Sequence, residues 1–181
     1  MTETDLIRSA RQGDTSAWEA LTRLHQEPVF RFAYLLLGDP DDAHDAAQET
    51  FIRAFYALGR FDDSRPLRPW LMSIAARQAS NRRRSLGRYF SAMTRYSREA
   101  ELTEPPPGGD DSRLLWQAVR RLKPDFQRAI YLRYFLDLPE AEMAAALGVA
   151  PGTVKSRLHR ALEALRAVIG REFPELQDVE A

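Results

Sequence analysis

The chain contains no cysteine, which excludes disulfides, thiolate metal sites, cysteine nucleophiles and zinc-finger recognition of nucleic acid. It also has no Gly-rich phosphate loop, nucleophile elbow or zinc motif, so no catalytic residue, metal site or cofactor is expected, and the protein is not expected to be an enzyme. His44, Asp45 and Glu49 come nearest to a metal cluster. His44 and Asp45 are adjacent, however, and diverge by about 100° on a helix, so an acidic helix start explains them better. No apolar run approaches the roughly 20 residues that span a bilayer. The first residues, Met-Thr-Glu-Thr-Asp, lack the basic and apolar pattern of a signal sequence, and a cytoplasmic protein without membrane insertion is the expectation. Net charge is missing too: 26 basic residues face 26 acidic ones, so bulk electrostatics cannot coat nucleic acid with this chain.

Local charge is far from even. Arg77, Arg82, Arg83, Arg84, Arg88, Arg95 and Arg98 occupy a window free of acidic residues. Acidic segments flank it, with Asp39, Asp41, Asp42, Asp45 and Glu49 before and Glu99, Glu101, Glu104, Asp110 and Asp111 after. Such blocks point to different partners for different faces.

Helical periods dominate the 181 residues, with no convincing alternating strand or internal repeat, so the fold class is all-α. A first helix is expected near Asp5 to Gln12, ended by Gly13. Asp14 or Thr15 can cap a second, with Trp18, Leu21 and Leu24 on one face. Pro28 is expected to interrupt it before Val29, Phe32, Ala33 and Leu36 continue to Gly38. Asp39 followed by Pro40 starts a third helix, with Asp41 and Asp42 at the positive end of its dipole. Ala43, Ala46, Ala47, Thr50, Phe51, Ala54, Phe55 and Leu58 supply its buried stripe up to Gly59, leaving Asp45, Gln48, Glu49 and Arg53 outward. Phe61 to Pro69 reads as a loop. The helix after it has Trp70, Leu71, Ile74 and Ala75 as apolar positions and ends in the arginine cluster.

Between Ser91 and Asp111 the apolar period fades, and Pro105-Pro-Pro-Gly-Gly109 marks a linker. Beyond it Leu115, Val119 and Leu122 form one short helix and Phe126 to Leu136 another. The expected organisation is two small helical domains, 1–90 and 112–175, joined by a flexible linker at 91–111 and followed by a tail at 176–181.

The second domain ends in the most informative segment, Leu147-Gly-Val-Ala-Pro-Gly-Thr-Val-Lys-Ser-Arg-Leu-His-Arg160. Met143, Ala144 and Leu147 share a face of the helix before it, and Gly148 can take the left-handed conformation that ends that helix. A second helix starts near Pro151, where Ala150 provides no side-chain cap. Val154, Leu158, Ala161, Leu162 and Leu165 must pack inward. Thr153, Ser156, His159 and Arg160 then face out, with Lys155 and Arg157 on the flanks. From Ala150 to Arg171 five cations stand against Glu163 alone. Short polar groups and cations are what a helix lying in the DNA major groove presents, and the pair reads as a helix-turn-helix.

Three motifs in order, Asp45-Ala-Ala-Gln-Glu-Thr-Phe-Ile-Arg-Ala-Phe55, Pro69-Trp-Leu-Met-Ser-Ile-Ala-Ala76 and Gly152-Thr-Val-Lys-Ser-Arg-Leu-His-Arg-Ala161, extend this reading. Together they make the chain resemble a bacterial sigma factor of the sigma-70 family, in the compact extracytoplasmic-function (ECF) group. The resemblance implies binding to core RNA polymerase, at its beta-prime clamp helices and beta flap, and promoter-specific initiation that includes melting. It assigns Asp45, Gln48, Glu49 and Arg53 to the clamp helices. The loop from Phe61 to Pro69, with Ser64 and Arg65, corresponds to the family loop that receives a base flipped from the downstream promoter element, and Trp70 abuts the melted strand.

Opening duplex costs about 1.4 kcal/mol per stacked step, and an aromatic platform returns about 1 to 3 kcal/mol per captured base. Phe61 is the expected exposed stacking residue and Trp70 is expected to be partly core. Arg77, Asn81, Arg82, Arg83 and Arg84 are expected to hold strand phosphates; many relatives place asparagine where this chain has Arg77. The resemblance makes the last helix the reader of the upstream element. Thr153, Lys155, Ser156, His159 and Arg160 would reach bases or phosphates and Arg157 the backbone. It also implies an anti-sigma factor that masks these surfaces. The alternatives are a stand-alone helix-turn-helix regulator and a helical protein-interaction adaptor.

Overall fold

The computed structural model describes residues 2–93 and 109–176, the side chains of 87–93 excepted. All regular structure among the described residues is helical. The chain divides into two compact units, Met1–Glu99 and Ala100–Ala181. The proposed linker motif Pro105 to Gly109 lies almost wholly outside the described residues, as do Arg95, Arg98 and the tail beyond 176.

In the first unit, helix α1 (Glu3–Arg11) begins two residues earlier than expected because Thr2 and Asp5 form a reciprocal capping box. The Thr2 hydroxyl and backbone N–H donate to the Asp5 carboxylate at 2.7 and 2.9 Å, and the Asp5 N–H donates back to the hydroxyl at 3.2 Å. Asp14 caps α2 (Thr15–Leu37) through the N–H groups of Ser16 and Ala17, and Gly38, at φ +79°, closes it.

Pro28 does not interrupt this helix. It removes one donor, freeing the carbonyl of Leu24 beside an exposed side chain where water can take it, at a cost of about 3 kcal/mol. Val29, Phe32, Leu35 and Leu36 downstream are buried on the same stripe as Leu21 upstream, each contributing about 1.5 to 3 kcal/mol, so packing outweighs the proline. Leu24 is correspondingly 58% exposed and does not join that stripe, which runs instead through Ala17, Leu21 and His25. His25 is buried and its Nε2 meets Glu3 Oε1 at 2.6 Å, fastening α2 to α1.

Helix α3 (Pro40–Ala57) starts where expected, the Asp39 carboxylate accepting from the Asp42 N–H at 2.8 Å. Its inner stripe is made of small residues, Ala43, Ala46, Ala47, Thr50 and Ala54, which lets α2 and α4 approach closely. Phe51 and Phe55 leave that stripe. Phe55 is 44% exposed, and both rings lie edge-on against Trp18, centroids 6.4 and 5.4 Å away. A 3-10 turn (Leu58–Arg60) follows, then a short loop, and α4 (Leu67–Met93) begins two residues before the Pro69 at which the loop was expected to end. Pro69 is tolerated because the first turn of a helix needs no donor there.

The second unit contains α5 (Asp110–Arg120), α6 (Pro124–Ile130) continued by a π turn (Tyr131–Phe135), α7 (Glu140–Leu147) and α8 (Pro151–Glu172). Leu122 lies beyond α5, and α6 starts two residues before Phe126 because Pro124 suits the first helical position. Helix α8 packs on α5, α6 and α7. Trp116 and Tyr131 are the largest fully buried side chains of this unit, and the Arg120 guanidinium lies 4.9 Å over the Trp116 ring. Gln127, itself buried, donates from Nε2 to the carbonyls of Arg120 and Leu122 at 2.9 and 2.8 Å, satisfying the end of α5.

Candidate functional site

The first unit carries a groove of about 590 Å³ between the second half of α3 and the first half of α4. Residues at three- and four-residue spacing line each wall: Arg53, Tyr56, Ala57 and Arg60 from α3 and its 3-10 turn, and Trp70, Ser73, Ile74, Arg77, Gln78 and Asn81 from α4. Tyr56 is 82% exposed, and Trp70 is half-buried with one face open to the groove. Two aromatic faces flanked by three guanidinium groups can stack planar rings and neutralise phosphates without any catalytic group.

Phe61 does not face solvent. It is 7% exposed and its ring lies 4.7 Å from that of Trp70 at 38°, so it acts as the floor under Trp70, and the exposed ring of the groove is Tyr56 instead. Burial of a phenyl ring next to the turn outweighs its exposure. Tyr56 and Arg60 were not singled out from sequence. The available signal was the second helical face they share with Arg53, three and seven residues on, which the inner stripe hid. Gln78 was missed as well, and it is buried between the groove walls.

The basic cluster splits into two sets. Arg77 and Arg84 are exposed, and Arg84 Nη2 donates to Asn81 Oδ1 at 2.7 Å, so these three follow Trp70 and Ile74 along one face of α4. Half-buried Arg82 and exposed Arg83 each reach back to an acceptor on a neighbouring helix. Arg82 Nε meets Asp42 Oδ1 at 2.7 Å and its Nη2 meets Asp45 Oδ2 at 2.9 Å, tying α4 to α3. The Asp42 hydrogen bond, with the charges of Asp42 and Asp45 behind it, holds this guanidinium above its already high pKa against partial desolvation. Arg83 donates to the carbonyl of Leu36 in the last turn of α2. Both guanidinium groups therefore already hold protein acceptors on α3 and α2, unlike Arg77, which faces the groove.

Asp45, Gln48, Glu49 and Arg53 lie outside the inner stripe of α3, on the side that turns toward α4, with Glu49 and Arg53 paired at 2.6 Å. They border a second groove of about 570 Å³ shared with Gln78, Asn81, Arg82 and Ser85. The polymerase-docking and strand-binding candidates thus meet along one α3–α4 seam. The loop after Phe61 is a compact turn. Asp62 Oδ1 accepts from the Ser64 hydroxyl at 2.6 Å and its N–H at 3.1 Å, and Arg65 pairs with Asp62 at 3.2 Å. These bonds, the Ser64 hydroxyl first, keep the Asp62 carboxyl below the usual aspartate range.

In the second unit, Gly148 at φ +65° ends α7, and the Val149 N–H reaches back to the Ala144 carbonyl at 3.0 Å. Helix α8 starts at Pro151 with no side-chain cap, as Ala150 predicts. Val154, Leu158, Ala161 and Leu165 are buried; Lys155, Ser156, His159 and Arg160 are exposed, and Thr153 and Arg157 half-buried. His159 pairs with Glu163 at 3.4 Å, while Arg160 Nε donates to the Ser156 carbonyl at 3.2 Å. Both contacts lie within the helix and are exposed, so neither opposes redirection toward a ligand. No group of acidic or histidine side chains suited to a metal ion occurs among the described residues. No helix among them is long and apolar enough to cross a membrane.

Comparison with known proteins follows this division. Residues 21–89 match Sigma-70 region 2, and residues 112–165 match Sigma-70, region 4. The chain is 30% identical over 173 residues to the ECF RNA polymerase sigma factor SigW of Bacillus subtilis, covering 88% of this chain and 92% of that protein. It is 36% identical over 172 residues to the ECF RNA polymerase sigma factor SigE of Mycolicibacterium smegmatis, covering 90% of this chain but only 66% of that protein's length. Among solved structures, the sigma factor RpoE in complex with the anti-sigma factor NepR from Bartonella quintana superposes with a TM-score of 0.69 at 26% identity, covering 85% of this chain and 97% of that one.

Proposed function

The chain belongs to the ECF group of sigma-70 factors, a promoter-specific initiation factor that binds core RNA polymerase, and from that premise we propose how its residues divide the work. The first domain, residues 1–90, is the downstream-element and melting domain. The second is the upstream-element reader, and residues 91–111 tether the two. The observation that carries this reading is the α3–α4 groove, which sets Tyr56 and Trp70 among Arg53, Arg60 and Arg77. Bases separated from the duplex stack on the two rings while Arg60 and Arg77 hold the adjoining phosphates. Each captured base returns about 1 to 3 kcal/mol, comparable to the roughly 1.4 kcal/mol needed to unstack each step. Strand capture therefore opens the promoter without nucleotide hydrolysis, and the protein is not an enzyme.

Asp45, Gln48, Glu49 and Arg53 dock on the beta-prime clamp helices. In the second unit Lys155, Ser156, His159 and Arg160 reach base edges and phosphates of the upstream element, with Thr153 and Arg157 at their margin and the beta flap as the polymerase contact of that unit. The zero net charge fits a protein that binds promoters weakly alone and acquires affinity from the polymerase. A cytoplasmic location and an anti-sigma partner complete the proposal; the latter is supported by the RpoE–NepR complex, whose sigma subunit shares this fold.

The test uses core polymerase reconstituted with the full chain on a promoter selected from a random-sequence library. Tyr56→Ala and Arg77→Ala should retain polymerase binding and lose strand opening, read by permanganate reactivity. Lys155→Ala and Arg160→Ala should weaken upstream-element binding while leaving opening of a premelted template intact. Unchanged opening in both groove variants overturns the assignment.

A further inference from the structure

Helix α1 lies before the residues that match Sigma-70 region 2, and its Glu3 and Asp5 serve the helix start and the contact with His25. Two of its arginines grip the turn that leads from α3 into α4. Arg11 Nε donates to the Leu58 carbonyl at 3.0 Å, and its Nη2 donates to the carbonyl of Phe61, so one guanidinium spans the first residue of the 3-10 turn and the residue that closes it. Its Nη1 lies 3.6 Å from the Asp63 carboxylate, which also receives Arg8 Nε at 3.1 Å. Arg11 is three-quarters shielded from solvent, so these bonds are poorly replaced by water.

The consequences reach the groove. Phe61 carries the carbonyl that Arg11 holds and supports Trp70 through its ring, while Asp63 sits between Asp62 and Ser64, whose mutual bonds shape the exposed part of the loop. A planar group with five donors spread over three nitrogens holds two carbonyls and a carboxylate in one fixed arrangement, whereas an ammonium gathers its three donors on a single nitrogen and does not match that spread. We infer that Arg11, with Arg8 and Asp63, is a positioning residue for strand capture: it sets the height of the Phe61–Trp70 stack and the loop beside it, so that a base is selected by the downstream groove without Arg11 touching it. The inference rests on the proposed strand-binding role of the groove.

The experiment uses the reconstituted holoenzyme and its selected promoter, with single-base changes in the downstream element. Wild-type chain should discriminate the captured base about tenfold or more in opening rate. Arg11→Ala should reduce that discrimination to about threefold or less, with polymerase affinity and upstream-element binding unchanged. Arg11→Lys, which keeps the charge beside Asp63 but cannot span both carbonyls, should resemble Arg11→Ala, whereas Asp63→Asn, which spares the carbonyl bonds, should keep most of the discrimination. Full discrimination in both Arg11 variants overturns the inference. So does an equal loss of polymerase affinity or of upstream binding, because that is the signature of a fold-supporting contact alone. Should Arg11→Ala fail to fold, Arg11→Lys and Asp63→Asn are read by the same two measures. Tyr56→Ala separates the two levels: if it too leaves discrimination intact, the groove reading fails, and if it alone abolishes discrimination, only the role of Arg11 does.

Discussion

Arg82 offers the sharpest test of the division between structural and DNA-facing cations. Its guanidinium bridges Asp42, whose side chain is 17% exposed, and Asp45, whose side chain is 57% exposed. Removing it leaves the Asp42 carboxylate mostly shielded and without its cation, a loss of about 1 to 2 kcal/mol once the partial exposure of Arg82 itself is discounted. The Asp45 pair is open to solvent and salt and adds at most about 0.5 kcal/mol. Arg82→Ala should therefore lower the melting temperature of the first unit by about 4 to 8 °C per kcal/mol and leave the transition of the second unit in place. A double-mutant cycle on urea unfolding should give a coupling of about 1 to 2 kcal/mol with Asp42→Ala and a few tenths with Asp45→Ala. If Arg82 instead holds a strand phosphate, stability will hardly move and the slope of DNA affinity against salt will fall by about one unit. Near-zero coupling together with that change in slope would refute the bridge argument.

Other changes have equally definite outcomes. Ala150 already has the extended backbone of an N-cap, φ −64° and ψ 146°, without a side-chain acceptor; Ala150→Ser should stabilise the second unit by about 0.5 to 2 kcal/mol in chemical unfolding. Asp137 is the one non-glycine among the described residues at positive φ, +53°, in the turn before α7, so Asp137→Val should cost about 1 to 2 kcal/mol while Asp137→Gly is close to neutral by the same measure. Arg160→Ala should relax base choice at one upstream position by about 1 to 3 kcal/mol in competition binding while changing affinity for unrelated DNA little. The Asp62 carboxyl is depressed in the folded chain, so the stabilisation from its bonds to Ser64 is complete above the usual aspartate range and is lost as pH falls through the lowered value. The Ser64 amide resonance should follow that titration and stay constant at neutral pH.

What the chain determined by itself was mostly local. Asp14, Asp39 and Pro40 announce helix starts, Gly38 and Gly148 announce stops, and Val154, Leu158 and Ala161 repeat at helical spacing, because caps, left-handed turns and amphipathic stripes act within a few residues. The outward face of α8 was legible for the same reason: once its inner stripe is known, the opposite side follows from helix geometry alone.

Tertiary structure decided whatever depends on which neighbour lies within reach. Seven arginines between Arg77 and Arg98 look alike as sequence. Yet Arg82 finds Asp42 forty residues earlier and Arg83 finds the end of α2, while Arg77 is left facing a groove. Phe61 and Tyr56 exchange the parts expected of an exposed and an unnoticed ring, because burial depends on whether Trp70 lies across from the side chain. Pro28 stays inside a helix because α1, α3 and α4 bury the turns around it. Charge and ring type are written in the chain, but the acceptor a guanidinium reaches, and the side of a ring that meets water, exist only once the helices have packed.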